Sequence, residues 1–178
     1  NIKGIILPGG FSFGDYLAAG SLAAFSLIMA EIKAAAKHGT PILGICNGFQ
    51  ILTRSGLLPG ALLGNENLQF NCQPTTLKVG EGTSIYHQIK GNLKIPIAHK
   101  EGRYFAPTQQ LKIMHDQGQI VFTYENNPNG SVNDIAGICS PDGRILGMMP
   151  HPERALSQLV GSSQDGMAIL KAFLSLCG

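Results

Sequence analysis

Residues 41–52, Pro-Ile-Leu-Gly-Ile-Cys-Asn-Gly-Phe-Gln-Ile-Leu, constrain the fold more than any other part of this chain. The first half is apolar enough for a short strand covered on both faces, and the second half resumes apolar residues at helical spacing. Between them lies the pattern Gly-x-Cys-x-Gly, the thiol counterpart of the Gly-x-Ser-x-Gly nucleophile elbow. The sequence therefore predicts a strand, a sharp turn that carries Cys46, and a helix.

Two glycines allow such a turn to close around Cys46. The residues two before and two after the cysteine crowd together, and Gly44 and Gly48 lack the Cβ atoms that would collide. The turn lifts the thiol above the carboxyl end of its strand, where doubly wound sheets keep their ligand sites. It also sets the thiol at a helix N-terminus, which favours the thiolate. A buried cysteine on an ordinary strand-to-helix connection is the alternative interpretation.

Composition favours an α/β protein. Of the 178 residues, 44% are hydrophobic, 13% are charged and 23 are glycine. This balance fits one domain, residues 1–178, with parallel strands buried on both faces. The formal net charge of +2, without a basic run, gives no indication of nucleic acid binding. No apolar segment is long enough to span a bilayer, so we expect no membrane association.

The cysteines argue against a metal site. The four of them are scattered and form no Cys-x-x-Cys pair, which disfavours a zinc site or a disulfide framework and suits a reducing cytoplasm. No other metal-ligand spacing is present, so we expect no bound metal and a cytoplasmic protein.

The order of the predicted elements indicates a sheet with parallel and antiparallel parts. A strand, a helix at 16–37, the elbow strand and the elbow helix form a βαβα unit with a right-handed crossover. Short alternating apolar runs between residues 68 and 97 predict an antiparallel excursion. The remaining predicted elements are a helix at 109–115, a strand at 120–124, a hairpin at 135–149 and a helix at 165–176. Together they predict a three-layer, flavodoxin-like α/β fold with a mostly parallel sheet.

A cysteine nucleophile needs a base to accept its proton and a third group to orient that base. Among the five histidines, His151 is placed best, because it leaves the end of a predicted buried strand between two prolines. Glu153 could reach back to the imidazole and fix its tautomer. We therefore predict a triad of Cys46, His151 and Glu153. An exposed helix-entry turn is the alternative for this Pro-His-Pro-Glu segment, and His99 stays ambiguous as a second candidate base.

An oxyanion hole would complete the site. The N–H of Asn47, directly after the cysteine, supplies one donor in the elbow geometry. The second donor is predicted from Gly10 or Phe11, because their glycine-rich loop opens on the same edge of the sheet.

These residues resemble those of the triad glutamine amidotransferases, and among them the glutaminase subunits of phosphoribosylformylglycinamidine synthase. The order Cys, His, Glu marks triad amidotransferases in general. The Phe-Ser-Phe-Gly-Asp-Tyr loop, the asparagine after the cysteine and the run Met-Met-Pro-His-Pro-Glu-Arg are more specific to the purine enzyme. The likeness covers essentially the whole chain and is carried by residues 8–17, 44–52, 130–137 and 147–154.

The resemblance implies a reaction and partners. The chain would hydrolyse glutamine to glutamate and ammonia, with Gln50, His99 and Glu101 binding the substrate. Ammonia would pass to a separate formylglycinamidine ribonucleotide synthetase subunit, which uses ATP and Mg²⁺ to convert formylglycinamide ribonucleotide to its amidine. A small third subunit would bridge the two. The resemblance implies no cofactor in this chain.

The sequence departs from the family pattern at two points. Family members begin with a further strand–helix unit before the strand at 5–7, so we expect that this chain is incomplete at its N-terminus. Lys100 stands where the family usually has glycine, in Ala-His-Gly-Glu-Gly, which argues against a tight backbone approach there.

Two other classes of function stay open. The first is an amidotransferase of another pathway, such as cytidine triphosphate or guanosine monophosphate synthesis. The Phe-Ser-Phe-Gly-Asp loop disfavours this alternative. The second is a cysteine hydrolase or a redox-sensing protein on a flavodoxin-like scaffold. Neither a cysteine hydrolase nor a redox-sensing protein of this second class would need a glutamate two residues after a histidine.

We predict that Cys46 is the essential cysteine, because it alone lies in an elbow. Cys46→Ser should abolish the release of glutamate from glutamine, whereas Cys72→Ala and Cys139→Ala should retain it. The opposite pattern, with Cys46→Ser active and either alanine variant inactive, would contradict the assignment.

Overall fold

The structure, a computed structural model, describes residues 2–159, 161 and 163–178. The helices and strands in chain order are β1 (Ile5–Leu7), α1 (Ser21–Ala24), α2 (Leu27–Lys37), β2 (Ile42–Ile45), α3 (Asn47–Arg54), β3 (Ala61–Leu63), β4 (Asn71–Val79), β5 (Leu93–His99), β6 (Arg103–Phe105), α4 (Thr108–Asp116), β7 (Ile120–Tyr124), β8 (Ile135–Cys139), β9 (Ile145–Met148) and α5 (Gly166–Leu176). Short 3₁₀ turns lie at Ser12–Asp15, Ile85–Gln88, Val132–Asp134 and Pro152–Arg154.

Seven strands form one sheet in the order β1-β2-β9-β8-β7-β4-β5. The β1, β2 and β9 strands pair in parallel, and the other neighbours pair antiparallel. Because each antiparallel pairing reverses the chain, only β8 and β4 run against the other five strands. The prediction of a mostly parallel sheet with an antiparallel excursion is therefore confirmed in strand direction. The carboxyl ends of β1, β2 and β9 lie side by side at one edge.

The far end of the sheet curls back to that edge. β5 is the last strand in the order, yet the N–H of His151, just after β9, donates to the carbonyl of Pro96 in β5 at 2.8 Å. The thiol of Cys46, just after β2, lies 3.6 Å from the carbonyl oxygen of Ala98, also in β5. The curl therefore closes the edge from which the elbow projects.

The strands at the centre of the sheet are buried, as composition predicted. Every residue of β2, β8 and β9 is buried. The predicted helices near 109–115 and 165–176, the strand at 120–124 and the hairpin at 135–149 all agree with the structure to within one residue at either end of each element. No helix in the described residues is long and apolar enough to cross a membrane.

The predicted helix at 16–37 is wrong in its first half. The structure has two helices there, α1 and α2, with an extended Ser26 between them. The chain enters α1 at Gly20, whose φ is +74° and where a Cβ would lie 2.9 Å from the backbone nitrogen of Ile51. This close approach to α3 and the left-handed setting prevent a continuous helix.

Two further parts of the sequence-based fold need correction. Residues 68–70, expected as part of the antiparallel excursion, form no strand, because Leu68 has a φ of +59° and the side chain of Asn65 binds the carbonyl of Gln69. The small antiparallel sheet of β3 and β6 was not predicted. Its strands have three residues each, too few to display an alternating pattern. It positions Tyr104, which stacks on Phe49 of α3 at 6.0 Å between ring centroids.

The turn between β2 and α3 has room only for glycine on either side of Cys46. A Cβ at Gly44 would lie 2.8 Å from the carbonyl carbon of Gly48, and one at Gly48 would collide with the carbonyl oxygen of Leu7 in β1. The predicted need for glycine at both positions is thereby confirmed. The first turn of α3 lies directly on the ends of β1 and β2.

Gly48→Ala should lower the free energy of unfolding by about 1–3 kcal/mol, the usual range for overpacking a rigid site. The added Cβ meets backbone of β1, which cannot move aside without disturbing the sheet. Urea denaturation measures the loss. Gly64→Ala is the matched control, because a Cβ there has no atom within 4 Å. Equal urea midpoints for the Gly48→Ala variant and the parent would contradict the prediction.

Candidate active site

Cys46 occupies a strained turn. Its φ of 49° and ψ of −103° lie outside the regions that residues with a side chain ordinarily adopt. The N–H of Cys46 donates to the carbonyl of Met148 in β9 at 2.8 Å, and its carbonyl accepts from the N–H of Gln50 at 3.1 Å. The turn is thus held by the sheet on one side and by α3 on the other, as the elbow pattern predicted.

His151 lies beside Cys46 because their strands are neighbours. The register of β2 and β9 pairs Ile45 with Met148, so the two strands end at the same level along the edge of the sheet. Gly9 touches both side chains: a Cβ there would lie 2.7 Å from His151 Cε1 and 3.5 Å from Cys46 Cβ. The structure therefore brings the predicted nucleophile and base together.

Glu153 fixes the tautomer of His151. Its Oε1 lies 2.6 Å from His151 Nδ1. Burial raises the pKa of Glu153, but the hydrogen bond and the charge of His151 outweigh burial and hold that pKa below its usual value. A carboxylate only accepts, so Nδ1 carries a proton, and in the neutral imidazole Nε2 presents a lone pair. That Nε2 atom is buried and has no hydrogen-bond partner among the described residues.

The thiol of Cys46 is protonated at rest. Burial raises its pKa to about 12, against the smaller opposing effects of the Asn47 N–H and of Arg154. The helix N-terminus does favour the thiolate, through the Asn47 N–H, but loss of solvent outweighs that effect on the pKa of Cys46. A neutral thiol can become a nucleophile only by passing its proton to a base.

A cavity of about 310 Å³ opens in front of Cys46, which is large enough for a small molecule. The three residues predicted to bind substrate, Gln50, His99 and Glu101, all line it. Gly10 and Phe11 line it as well, so both candidate oxyanion donors lie near the thiol, although their donor role stays a prediction. The remaining lining residues are Asp15, Ala19, Phe70, Ala98 and Lys100.

Gln50 ties α3 to the far wall of the cavity. Its Nε2 donates to the carbonyl of Glu101 at 2.7 Å, and its Oε1 accepts from Asn47 Nδ2 at 2.9 Å. Asn47 Oδ1 in turn accepts the N–H of Ser12 at 3.4 Å. These bonds hold the glycine-rich loop, the elbow helix and the segment after β5 around one space.

Two carboxyl groups share one wall of the cavity. Burial and the nearby charge of Glu101 raise the pKa of Asp15. Glu101 Oε2 accepts the N–H of Ala19 at 3.0 Å, and Asp15 Oδ1 is buried without a partner among the described residues. The pair suits a cationic group such as an ammonium. Sequence reasoning missed Asp15, although it stands in the loop segment that carried the resemblance.

Lys100 is exposed at the rim of the cavity, and its carbonyl accepts the N–H of Asn65 at 2.8 Å. The lysine side chain therefore replaces the family's usual glycine without entering the protein interior.

Comparison with known proteins shows the family. A family model described as the CobB/CobQ-like glutamine amidotransferase domain matches residues 1–170. The chain belongs to this family. It is 49% identical over 174 residues to the phosphoribosylformylglycinamidine synthase subunit PurQ of Lacticaseibacillus paracasei, and the match covers 96% of this chain and 76% of that protein.

Solved structures agree with this assignment. The structure of PurLQS from Thermotoga maritima matches with a TM-score of 0.89 and 40% identity, over 99% of this chain and 80% of that chain. The glutaminase domain of Trypanosoma brucei CTPS with bound acivicin matches with a TM-score of 0.61 and 15% identity, over 97% of this chain and 71% of that chain. At that level of identity the second likeness shows the fold alone.

Because the pKa of Cys46 lies far above neutrality, its alkylation by iodoacetamide in the free chain should accelerate about tenfold per pH unit between pH 7 and 9. The thiolate fraction grows by that factor while pH stays well below the pKa. Mass spectrometry of the Cys46 peptide gives the rate, and the exposed Cys72 serves as an internal reference for reagent access. A rate that levels off within this range would show that the thiolate is already formed.

Proposed function

We propose that this chain is the glutaminase subunit of phosphoribosylformylglycinamidine synthase and acts in purine biosynthesis. It hydrolyses glutamine and delivers ammonia to the synthetase subunit, which converts formylglycinamide ribonucleotide to formylglycinamidine ribonucleotide. The observation that carries the proposal is the 49% identity to PurQ of Lacticaseibacillus paracasei over 96% of this chain. The arrangement of Cys46 at the cavity, with His151 beside it and Glu153 hydrogen-bonded to His151, supports it.

In the first half of the proposed reaction, a bond forms between Cys46 Sγ and the amide carbon of glutamine. Nε2 of His151 accepts the thiol proton, and the amide oxygen becomes an oxyanion. The N–H of Asn47 and a second N–H from Gly10 or Phe11 stabilise that charge. The carbon–nitrogen bond then breaks as His151 gives its proton to the departing nitrogen, which leaves as ammonia.

In the second half, water attacks the glutamyl thioester. His151 accepts a proton from the water, the new oxygen–carbon bond forms, and the carbon–sulfur bond breaks. The sulfur regains a proton from His151, and glutamate is released. Glu153 keeps the imidazole oriented through both halves by accepting from Nδ1. Proton transfer coupled to attack explains how a thiol that is neutral at rest can act.

The charges in the cavity orient the substrate. The α-ammonium of glutamine binds against the carboxylates of Asp15 and Glu101, the anionic end of the cavity. The side-chain amide then extends toward Cys46. Because an ammonium favours the charged form of both carboxylates, substrate binding offsets the burial and the repulsion from Glu101 that raise the pKa of Asp15.

The rim of the cavity suits a protein partner. Four large apolar side chains between residues 11 and 17, in and just after the glycine-rich loop at 8–15, are exposed near this rim, which a chain in water rarely presents together unless a partner covers them. They are Phe11, Phe13, Tyr16 and Leu17, exposed by 68%, 58%, 88% and 77%. We place the synthetase subunit on this rim, since ammonia must pass from the cavity to that subunit. A small bridging subunit completes the complex.

The chain itself uses no cofactor in this proposal, and ATP and Mg²⁺ belong to the synthetase subunit. We place the protein in the cytoplasm, where its cysteines stay reduced. All four of them are described and are free thiols in the structure. An amidotransferase of cytidine triphosphate synthesis is not favoured, because the likeness to that enzyme's glutaminase domain is only 15% in sequence.

Reconstitution with the synthetase and bridging subunits tests the proposal. With ATP, Mg²⁺ and formylglycinamide ribonucleotide, the complex should form the amidine from glutamine. His151→Ala should abolish nearly all of that activity, whereas Glu153→Gln should leave a measurable remainder, because the orienting member of a triad matters less than the base.

Ammonium chloride provides the control in the same assay. It should support amidine formation with the His151→Ala complex as well as with the parent complex, because only the supply of ammonia is lost. No amidine from glutamine with the parent complex would overturn the proposed function. Greater damage from His99→Ala than from His151→Ala at saturating glutamine would show that the base is misassigned.

A further inference from the structure

The side-chain amide of Asn65 is held in one orientation. This residue is completely buried, and its Nδ2 donates to the carbonyl oxygens of Gln69 at 2.8 Å and His99 at 2.9 Å. Its Oδ1 accepts the N–H of Gly102 at 3.1 Å. Turning the amide over would set the oxygen against two carbonyls and the NH₂ against a backbone N–H, so the backbone determines where the oxygen lies.

That oxygen decides the tautomer of His99. Asn65 Oδ1 lies 3.1 Å from His99 Nδ1 and, being a carbonyl oxygen, can only accept. Nδ1 therefore carries the proton, and Nε2 of the neutral ring presents a lone pair. Burial, reinforced by the nearby His151, lowers the pKa of His99 to about 4, so the ring stays neutral at physiological pH.

The lone pair of His99 is buried without a donor. The residue is 2% exposed, and Nε2 has no hydrogen-bond partner among the described residues. The ring lines the same cavity as Cys46, while Gly102 packs against its Nδ1 side. Because a buried acceptor without a donor is unfavourable, the cavity is suited to a ligand that brings an N–H to this point.

The position of His99 indicates which N–H of glutamine that is. The preceding residue, Ala98, has its carbonyl oxygen 3.6 Å from Cys46 Sγ, and the reacting amide must come within about 3–3.5 Å of that sulfur. The ammonium end of the substrate is drawn to the carboxylates of Asp15 and Glu101. The amide end is therefore the part of the substrate that lies next to His99.

We propose that Nε2 of His99 accepts a hydrogen bond from the side-chain NH₂ of glutamine, and that Asn65, by fixing the ring's tautomer, makes the site select an amide over a carboxylate. This inference rests on the proposed function. Glutamate, the product, presents a carboxylate oxygen where glutamine presents the NH₂. Two acceptors then face each other, which weakens glutamate binding and speeds its release.

Asn65 is a positioning residue in this proposal, since it acts through His99. Without it, the proton of His99 is free to move to Nε2, and the ring can then donate to the carboxylate of glutamate. His99→Gln has the same consequence, because a glutamine side chain can turn either its oxygen or its NH₂ toward the ligand.

The ratio of the glutamate inhibition constant to the glutamine KM tests the proposal. Both are measured by ammonia release in the reconstituted complex, with added glutamate as competitor. Asn65→Ala and His99→Gln should each lower the ratio about tenfold or more, the usual effect of relieving one unpaired polar contact. A purely structural role would weaken both ligands alike and leave the ratio unchanged, which would overturn the proposal.

Asn67→Ala is the matched control. Asn67 lies two residues along the same loop, is exposed, and bonds to Asn71 and to the N–H of Gln69 rather than to His99. Its replacement should leave the ratio at the parent value. A fall equal to that of Asn65→Ala would attribute the effect to the loop and overturn the proposal.

A direct measurement covers the case in which Asn65→Ala fails to fold. The ¹⁵N chemical shifts of the His99 ring in the parent protein report which nitrogen carries the proton. A protonated Nδ1 and a bare Nε2 are expected, and a proton on Nε2 would overturn the proposal. Failure of the parent complex to hydrolyse glutamine at all would instead count against the proposed function.

Discussion

The close approach of α3 to the ends of β1 and β2 is the constraint on which the rest of the site depends. Gly48 lies so near the carbonyl of Leu7 that no side chain fits, and Gly44 lies as near Gly48. With the helix seated there, the chain can join β2 to α3 only through a strained Cys46. The strain is stabilised by sheet and helix hydrogen bonds on either side, which aim the thiol over the edge of the sheet.

The curl of the sheet turns this edge into a cavity with a wall on its far side. β5 returns from the far end of the sheet, binds the N–H of His151 through Pro96, and supplies the wall that carries His99. Burial then acts on two groups in opposite senses. It raises the pKa of the Cys46 thiol and lowers the pKa of the His99 imidazole, so both are uncharged at rest. Keeping these two buried groups neutral avoids the large cost of buried isolated charges.

Several buried polar atoms in the cavity wall or beside Cys46 lack partners in the described part of the chain. They include Nε2 of His99, Nε2 of His151 and Oδ1 of Asp15. Buried polar groups are normally paired, and exceptions concentrate where a ligand or a reaction supplies the partner. In the proposed reaction His99 receives the amide NH₂ of glutamine, His151 receives the thiol proton, and Asp15 receives the ammonium of glutamine. Hydrogen bonds to these atoms then help to bind and orient the substrate.

The sequence by itself determined the local features of this protein. Each of these features depends on a few neighbouring residues, so a short stretch of sequence is enough to predict it. They are the elbow at Cys46, its two glycines, the pair of His151 and Glu153, and the central strands. Only the tertiary structure decided features that depend on distant contacts. Each of these features requires segments far apart in sequence to meet. They are the curl of β5, the broken helix after Gly20, the small β3–β6 sheet and the inclusion of Asp15 and Asn65 in the site around Cys46. The protonation of Cys46 belongs with them, because a helix terminus is a local property while burial depends on the whole fold.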